Sequence, residues 1–402
     1  MINKSILYRW LMYSTFIAVC SEALYINIGF DFKILYLIVM FNFPLLALLG
    51  GKIKTSIFFS LVFILFISLF SIHGLTFGSA GQFIGIFFIC SYYYCFFSVF
   101  LKNVKISFLF DFFCDFFIKI NYFFLPLYII SSLLNLKNGD YRYHSIFMEP
   151  AHFCAVAVPV FFFLFFKRKI NNENSFLKIF NIYFLFVCIL LSQSSVGFIG
   201  ILLGFLFSIN YKRKSSVLVI ISIPATFFLM MLNNNFSMRV MDTVYGISNM
   251  DVDNVNISSF ALISNIFVIK NVLGTNFLFG TGLGNHILAY NDFINFLPSV
   301  EKYDNFVGLN ARDANSLFLR ILSEIGVLGV LFIIYLFISI KPYRFVRFNL
   351  NVNDVALNKA LVKISLIYIF LKLFREGHWF SPEMYFFIFL FFLSRKINLS
   401  KV

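Results

Sequence analysis

Residues 176–210 read FLKIFNIYFLFVCILLSQSSVGFIGILLGFLFSIN, and this stretch decides the class of fold. It holds two apolar runs, 176–193 and 195–210, which meet at a short turn of Ser and Gly and carry a single charged residue, Lys178. A helix that is apolar on every side has no face for water, and a bilayer core is spanned by about 20 such residues. The stretch therefore predicts two membrane helices rather than part of a soluble domain.

The whole chain has the same character. It is 60% apolar and only 12% charged, with a mean hydropathy of +0.89, whereas soluble domains are about 25% charged. We predict an all-α, polytopic integral membrane protein with about twelve transmembrane helices, and treat residues 1–402 as a single membrane domain. Segment 106–117, which carries Asp111 and Asp115, is predicted to be an interfacial lead-in to the fifth helix. The apolar runs fall at 10–29, 33–50, 55–73, 80–101, 118–136, 151–166, 176–193, 195–210, 215–232, 314–340, 357–374 and 380–394.

The distribution of Lys and Arg predicts the orientation of these helices. Basic clusters such as 167–169 and 212–214 fall in alternate loops, as the positive-inside rule expects of cytoplasmic segments. This accounts for the net charge of +14 without a nucleic acid partner. Both termini are then cytoplasmic, and the long loop 233–313, between the ninth and tenth helices, lies outside. For a bacterial inner membrane that side is the periplasm, where chemistry needs a donor that is already activated.

One candidate for catalysis stands at the predicted outer end of the sixth helix, in the stretch Phe147-Met-Glu149-Pro150-Ala-His152-Phe. An ionisable side chain at membrane depth is costly and tends to be functional. A partly desolvated Glu149 suits a general base, with His152 beside it and His144 and His378 in reserve. The alternative is ordinary helix-start chemistry at Glu149 and Pro150.

Arginines on the predicted outer face suggest a phosphate site. A guanidinium stays charged and can bind phosphate through two parallel hydrogen bonds. Arg320 and Glu324 are spaced to pair on one helix face, while Trp379 and His378 fit an interfacial position. The diphosphate-binding candidates are Arg142, Arg239, Arg312 and Arg375.

Two further stretches suit a loop that holds a ligand. The long loop carries glycines followed by an amide, and the tenth helix is preceded by Asn315 and Ser316 and contains Gly326-Val-Leu-Gly329. The structural alternatives are an N-cap at Asn315 and close helix packing at the two glycines. The segments predicted to lie outside contain no cluster of acidic or His residues with the spacing of metal ligands, so we predict neither a metal nor another cofactor. The substrate-loop candidates are Gly280, Gly282, Gly284, Asn285, Asn315 and Ser316.

Four stretches in this order resemble the O-antigen polymerase family and its relative, the O-antigen ligase family. One departure from the ligase pattern is informative: Asn315 stands where that pattern has His, and an amide cannot act as a base. The polymerases are therefore the better match. The stretches are Phe147–Phe153, Leu191–Gly197, Phe279–Gly284, and Asn315-Ser316 followed after nine residues by Gly326-Val-Leu-Gly329.

The resemblance implies a membrane-embedded glycosyltransferase. Its donor would be a growing glycan on undecaprenyl diphosphate, and its acceptor would be a single repeat unit on the same lipid. Membrane lipid and a chain-length regulator protein are the other implied partners. Two alternatives stay open, namely an O-antigen ligase and a flippase or other transporter for a lipid-linked glycan.

Overall fold

The structure is a computed structural model that describes residues 4–21, 23–27, 31–134, 142–208, 234–253, 255–339 and 351–395. Within these ranges the chain is built of α-helices, two short 3₁₀ segments and one small hairpin, β1 Tyr25–Asn27 with β2 Asp31–Lys33. The helices are α1 Lys4–Cys20, α2 Ile34–Leu48, α3 Thr55–Ser68, α4 Phe77–Phe100, α5 Ile106–Leu133, α6 Pro150–Asn171, α7 Phe176–Leu191, α8 Ser195–Ser208, α9 Asn234–Asn249, α10 Ile257–Thr275, α11 His286–Phe293, α12 Leu317–Ser339, α13 Val352–Arg375 and α14 Pro382–Ser394.

Several helices start where side chains satisfy the free N–H groups of the first turn. Thr76 and Ser79 form a reciprocal capping box before α4, and Asn256 accepts from the Ser259 N–H at the start of α10. Pro150 and Pro382 stand in the first turns of α6 and α14, where a missing N–H costs nothing. The starts of α6 and α14 are thereby fixed, and both lie near the candidate site described below.

The described residues include five helices that are long and apolar enough to cross a membrane: α4, α5, α6, α10 and α12. Six shorter apolar helices accompany them: Ser5–Cys20 within α1, α2, α3, α7, α8 and α14. Together they support a helical membrane protein. The predicted ninth helix, 215–232, lies outside the described residues.

Three predicted boundaries differ from the structure. The first apolar run, 10–29, ends as a helix at Cys20, after which the chain turns into the small hairpin. Segment 106–117 is continuous with the next run in α5, where Lys167 neutralises Asp111 across a distance of 2.6 Å. Residues 257–275, which were predicted to be loop, form the apolar helix α10.

The core is formed where α6, α13 and α14 pack together. Residues 150–163 of α6 are buried without a break, so this helix is surrounded by protein along most of its length. On α14, the ring of Phe386 contacts aromatic rings on three other helices at centroid distances of 5.1–6.4 Å, and such pairs add to simple burial. Those rings are Phe16, Tyr93, Phe97, Phe110 and Phe113.

The predicted long loop contains a folded segment with a core of its own. Val252, Phe260, Ile263 and Tyr290 bury their side chains in a cluster that is separate from the main core. Phe260 stacks on Tyr303 at a centroid distance of 4.6 Å. The described part of this segment is therefore a packed helical unit that leads into α12.

Candidate functional site

Three separate parts of the chain meet at one end of the bundle: the start of α6, the turn before α12 and the segment that follows α13. His378 Nε2 lies 3.4 Å from the Asp313 carboxylate, and Arg375 donates a 3.0 Å hydrogen bond to Asn315 Oδ1. His152 Nε2 lies 3.4 Å from Glu376 Oε1. The fold thus brings together residues that lie more than two hundred positions apart in the sequence.

The turn before α12 has an unusual backbone. Ala314 and Asn315 both adopt positive φ, 55° and 61°, a region that asparagine tolerates but that alanine seldom occupies. The Asp313 carboxylate stabilises this conformation in part by accepting a hydrogen bond of 3.1 Å from the Asn315 N–H. Such strain persists only where neighbouring structure enforces it, and it concentrates at functional sites.

Asn315 and Ser316 hold this turn in place. Asn315 is buried, and its side-chain oxygen accepts from Asn310 Nδ2 at 2.8 Å as well as from Arg375. Ser316 caps α12 by accepting from the Leu319 N–H, and its hydroxyl donates to the Leu373 carbonyl at 2.9 Å. Ser316, rather than Asn315, therefore acts as the cap and ties the start of α12 to the end of α13.

The surroundings of Asp313 favour its neutral form more than water does. Burial raises the pKa of the Asp313 carboxyl above its ordinary value, and the negative charge of Glu149 raises this pKa further. The Asn315 N–H and the charges of Arg320 and His152 oppose this shift. Glu149 and His152 are thus electrostatic neighbours of Asp313, although they come from a different helix.

A buried ion pair lies directly below the turn. Arg320 Nε donates to Glu324 Oε1 at 2.7 Å, and Trp379 Nε1 donates to Glu324 Oε2 at 2.8 Å. Arg320 Nη1 also donates to the Gly377 carbonyl at 2.9 Å. The predicted pairing of Arg320 with Glu324 is present. Trp379 itself is 9% exposed, and its indole N–H is bonded to this buried carboxylate.

Lys372 organises a second buried group of charges, which the sequence analysis did not single out. Its ammonium group bonds Glu376 and the Ser381 hydroxyl, and lies 3.4 Å from Glu383 Oε1. Lys372 and Glu376 share the i,i+4 spacing that pointed to Arg320 and Glu324, so this signal was available in the sequence.

The glycine loop packs against a break in α12. Gly326 interrupts that helix with φ 60° and ψ −167°, which frees backbone groups on both sides. The N–H groups of Thr281 and Gly282 donate to the Ser323 and Glu324 carbonyls, each at 2.8 Å. The N–H groups of residues 327 and 328 donate in turn to the carbonyls of residues 277 and 278, at 3.2 Å. At membrane depth, broken helices need such replacement partners.

The predicted loop residues are therefore engaged with protein atoms. At Gly280 and Gly284 φ is also positive, and a side chain at Gly280 would meet the Ser323 carbonyl oxygen at 2.2 Å. Asn285 is buried, where its amide donates to the Gly74 and Thr281 carbonyls and its oxygen accepts from the Thr76 hydroxyl at 2.5 Å.

The remaining predicted residues occupy different environments. Glu149 is exposed at the start of α6 rather than partly desolvated as predicted, because it precedes the buried stretch of that helix, and within the described residues its side chain forms no capping bond. Arg142 is half-buried, and Arg312 is exposed beside Asp313. Arg239 belongs to α9, but its side chain lies outside what the structure describes. Glu149, His152, Arg375, Asn315 and Ser316 are thus the predicted residues that the fold gathers at the turn.

An apolar cavity of about 470 Å³ runs along the bundle towards these charges. Its walls come from α3, α4, α12, α13 and α14 and are almost entirely hydrocarbon. At one end the lining includes Lys372 and Trp379, which belong to the two buried charge groups. The apolar cavity therefore extends to the charged end of the bundle.

Comparison of the chain with models of protein families, with curated proteins and with solved structures returned no match. The resemblance to O-antigen polymerases therefore rests on the four sequence stretches.

Proposed function

We propose that this protein is a membrane-embedded glycosyltransferase that polymerises a surface polysaccharide, such as an O-antigen, from repeat units on undecaprenyl diphosphate. The glycan passes from its diphosphate carrier to a hydroxyl of the next lipid-linked unit, on the outer face of the bacterial inner membrane. Undecaprenyl diphosphate is released.

One observation carries this proposal. The Glu149 segment, the Asp313–Ser316 turn and the Arg375–Trp379 segment converge, although they are distant in sequence. The first of these segments resembles the Glu-Pro stretch of the polymerases, the second resembles the ligase pattern with Asn315 in place of His, and the third brings an arginine. The convergence sets carboxylates, imidazoles and a guanidinium around one spot, and these are the groups that a transfer from a diphosphate requires.

Each group has a role that its chemistry suits. Glu149, which is exposed, takes the proton of the attacking hydroxyl. Arg375 binds the diphosphate as charge develops on the leaving oxygen, assisted by Arg142, Arg239 and Arg312. Positive charge supplied by arginine serves where many phosphate-transfer sites use a metal, so we propose that the reaction needs none.

The apolar cavity supports a lipid-linked substrate. A polyprenyl chain is hydrocarbon along its whole length, and its diphosphate is strongly anionic. The cavity offers hydrocarbon walls for the polyprenyl chain, and its lining includes Lys372 and Trp379, which lie close in sequence to Arg375, the residue proposed to bind the diphosphate. A soluble sugar nucleotide would gain nothing from such a compartment.

Glu149→Gln tests the proposal, because it keeps the shape of the side chain and removes the base. We expect polymerisation to fall by about two to four orders of magnitude, with normal protein levels in the membrane. The measurement is the length distribution of lipid-linked glycan in cells. Glu301→Gln is the matched control, because Glu301 is an exposed carboxylate elsewhere in the outer segment.

The pattern of products separates the proposed polymerase from its alternatives. A polymerase defect leaves single repeat units that still reach the final acceptor. A ligase defect would accumulate long chains on the carrier, and a flippase defect would trap single units on the cytoplasmic side. Normal long chains in the Glu149→Gln strain would remove Glu149 from the mechanism.

A further inference from the structure

His378 and Asp313 form a carboxylate–imidazole pair at the edge of the candidate site. His378 Nε2 lies 3.4 Å from Asp313 Oδ2, and the two side chains are 45% and 14% exposed. The imidazole is therefore accessible, while the carboxylate that faces it is largely shielded. In catalytic sites such a carboxylate fixes the tautomer and orientation of the ring and favours its protonated form.

The surrounding backbone holds this pair in place. Gly377 packs so closely on the turn that a side chain there would lie 1.5 Å from the Asp313 carbonyl oxygen. The Gly377 carbonyl accepts from Arg320, whose guanidinium is itself fixed by Glu324. Gly377, which precedes His378, is thus packed against the backbone of Asp313. This buried packing sets the relative position of the His378 and Asp313 side chains.

The charges around the pair come from three helices. Glu149 and His152 on α6 and Arg320 on α12 act on Asp313 electrostatically. At the end of α13, Arg375 is hydrogen-bonded to Asn315, and Glu376 lies beside His152. Arg375 thus approaches the turn that bears Asp313. Arg375 and His378 therefore contact the same turn, the first at Asn315 and the second at Asp313.

We propose that His378 is the general acid of the transfer and that Asp313 is the residue that positions it. This inference rests on the proposed function. The bond between the anomeric carbon and the diphosphate oxygen breaks, its electron pair stays on that oxygen, and the oxygen takes a proton from His378. The acceptor hydroxyl oxygen bonds the anomeric carbon and gives its proton to Glu149. Exchange with solvent restores both side chains, so the net result is transfer of one proton from hydroxyl to diphosphate.

A fully buried imidazole near α12, that of His286, is not suited to this role. His286 lies between the Ser323 hydroxyl, at 2.7 Å from Nδ1, and Asn265 Oδ1, at 2.9 Å from Nε2. Burial and the Arg320 charge lower the pKa of His286 to about 3, so this ring stays neutral at physiological pH. It supports the start of α11 from within, and as a neutral ring it cannot serve as a general acid.

The test is the pH dependence of polymerisation by purified full-length protein with lipid-linked repeat units. An essential acid must be protonated, so the wild-type rate should fall as pH rises. His378→Gln should lower the rate by about 100-fold, near the low end for general acid catalysis because diphosphate is already a good leaving group, and should abolish that alkaline decline. Asp313→Asn removes the charge that favours imidazolium, so the decline should begin about one pH unit lower.

The chain offers a matched control in a second His–Asp pair. His73 Nε2 lies 3.3 Å from Asp292 Oδ2 in a different part of the structure. His73→Gln and Asp292→Asn should leave both the rate and its pH profile unchanged. Protein levels in the membrane, measured by immunoblot, identify any variant that fails to fold.

The outcomes distinguish the two proposals. An active wild type with an unchanged pH profile in His378→Gln overturns the acid role and leaves the polymerase intact. A shift in Asp313→Asn equal to that in Asp292→Asn overturns the positioning role. A wild type that forms no polymer from lipid-linked units overturns the proposed function, and the acid role falls with it.

Discussion

At the scale of single residues, the candidate site depends on charges that are buried yet paired. Glu324 is fully buried and receives hydrogen bonds from both Arg320 and Trp379. Removing a charge from water costs several kcal/mol, and this cost is offset only by close partners of opposite charge and by hydrogen bonds. These three side chains also connect the turn before α12 with the segment after α13, so the geometry at Asp313 depends on them.

Glu324→Ala should destabilise the protein strongly, because it leaves the Arg320 guanidinium buried beside an empty space. We expect a loss of about 3–5 kcal/mol, seen as a lower midpoint of thermal unfolding in detergent micelles. Glu301→Ala, which removes an exposed carboxylate, should change the midpoint little. Equal midpoints for the two variants would mean that the pair contributes nothing to the fold.

Residue-scale features were predictable only where one helix contains both partners. The i,i+4 spacing of Arg320 and Glu324 indicated their pair. The bond from Trp379 to Glu324 joins residues 55 positions apart and left no local signal, so Trp379 was assigned to an interface. Lys372 combines both cases: its pair with Glu376 has the local i,i+4 spacing, whereas its bonds with Ser381 and Glu383 form only because the chain turns back after α13.

At the scale of elements, the break in α12 and the glycine loop form one unit. The positive φ values at Gly280 and Gly326 disfavour side chains, and each glycine packs against the backbone beside the other, which leaves no room for one. From the sequence these glycines suggested a ligand loop and close helix packing. Neither interpretation included their pairing across the break, because that pairing depends on contacts over more than forty residues.

Gly326→Ala should disrupt this unit. The new methyl group would meet the Leu278 carbonyl oxygen at 2.4 Å, in a conformation that side chains rarely adopt. Strain and crowding together should cost about 2–5 kcal/mol, and the amount of folded protein recovered from membranes should fall. Gly274→Ala in α10 is the control, because open space surrounds that position and alanine favours a helix. Equal recovery of the two variants would contradict the assigned role of Gly326.

At the scale of the molecule, the two ends of the bundle differ in chemistry. The site lies at the start of α6, whereas Lys167 near the other end of that helix pairs with Asp111. Lys105 pairs with Asp354 at 2.8 Å, and these two residues line the same pocket as Lys167 and Asp111. Since α6 has 22 residues and so a length of about 33 Å, the two ends are separated by roughly the thickness of a hydrocarbon core.

The sequence predicted the helical membrane class and most helices, because apolar runs depend only on local composition. It did not predict that α10 is helical within the supposed loop. That helix packs its apolar residues into the second core, so an apolar run of this length can belong either to a lipid-facing span or to a folded outer segment. Composition alone cannot separate these two cases, since both bury the same side chains.

The topology can be tested by reporters that are active on only one side of the membrane. The pocket lined by Lys105, Asp111, Lys167 and Asp354 lies opposite the site, and the basic cluster 167–169 beside it favours the cytoplasm. We therefore expect a fusion at Asn256 to show periplasmic alkaline phosphatase activity. Fusions at Asn172, in the turn after α6, and after Val402 should instead fluoresce as cytoplasmic proteins.

A cytoplasmic signal at Asn256 would contradict the proposed function as well as the topology. The turn at Asp313 and the start of α6 would then face a compartment that contains nucleotide-activated sugars, and a lipid-linked donor would no longer be required. A periplasmic signal at Asn172 would have a different meaning. It would place both ends of α6 on one side, and α6 could then not be a spanning helix despite its length and its burial within the core.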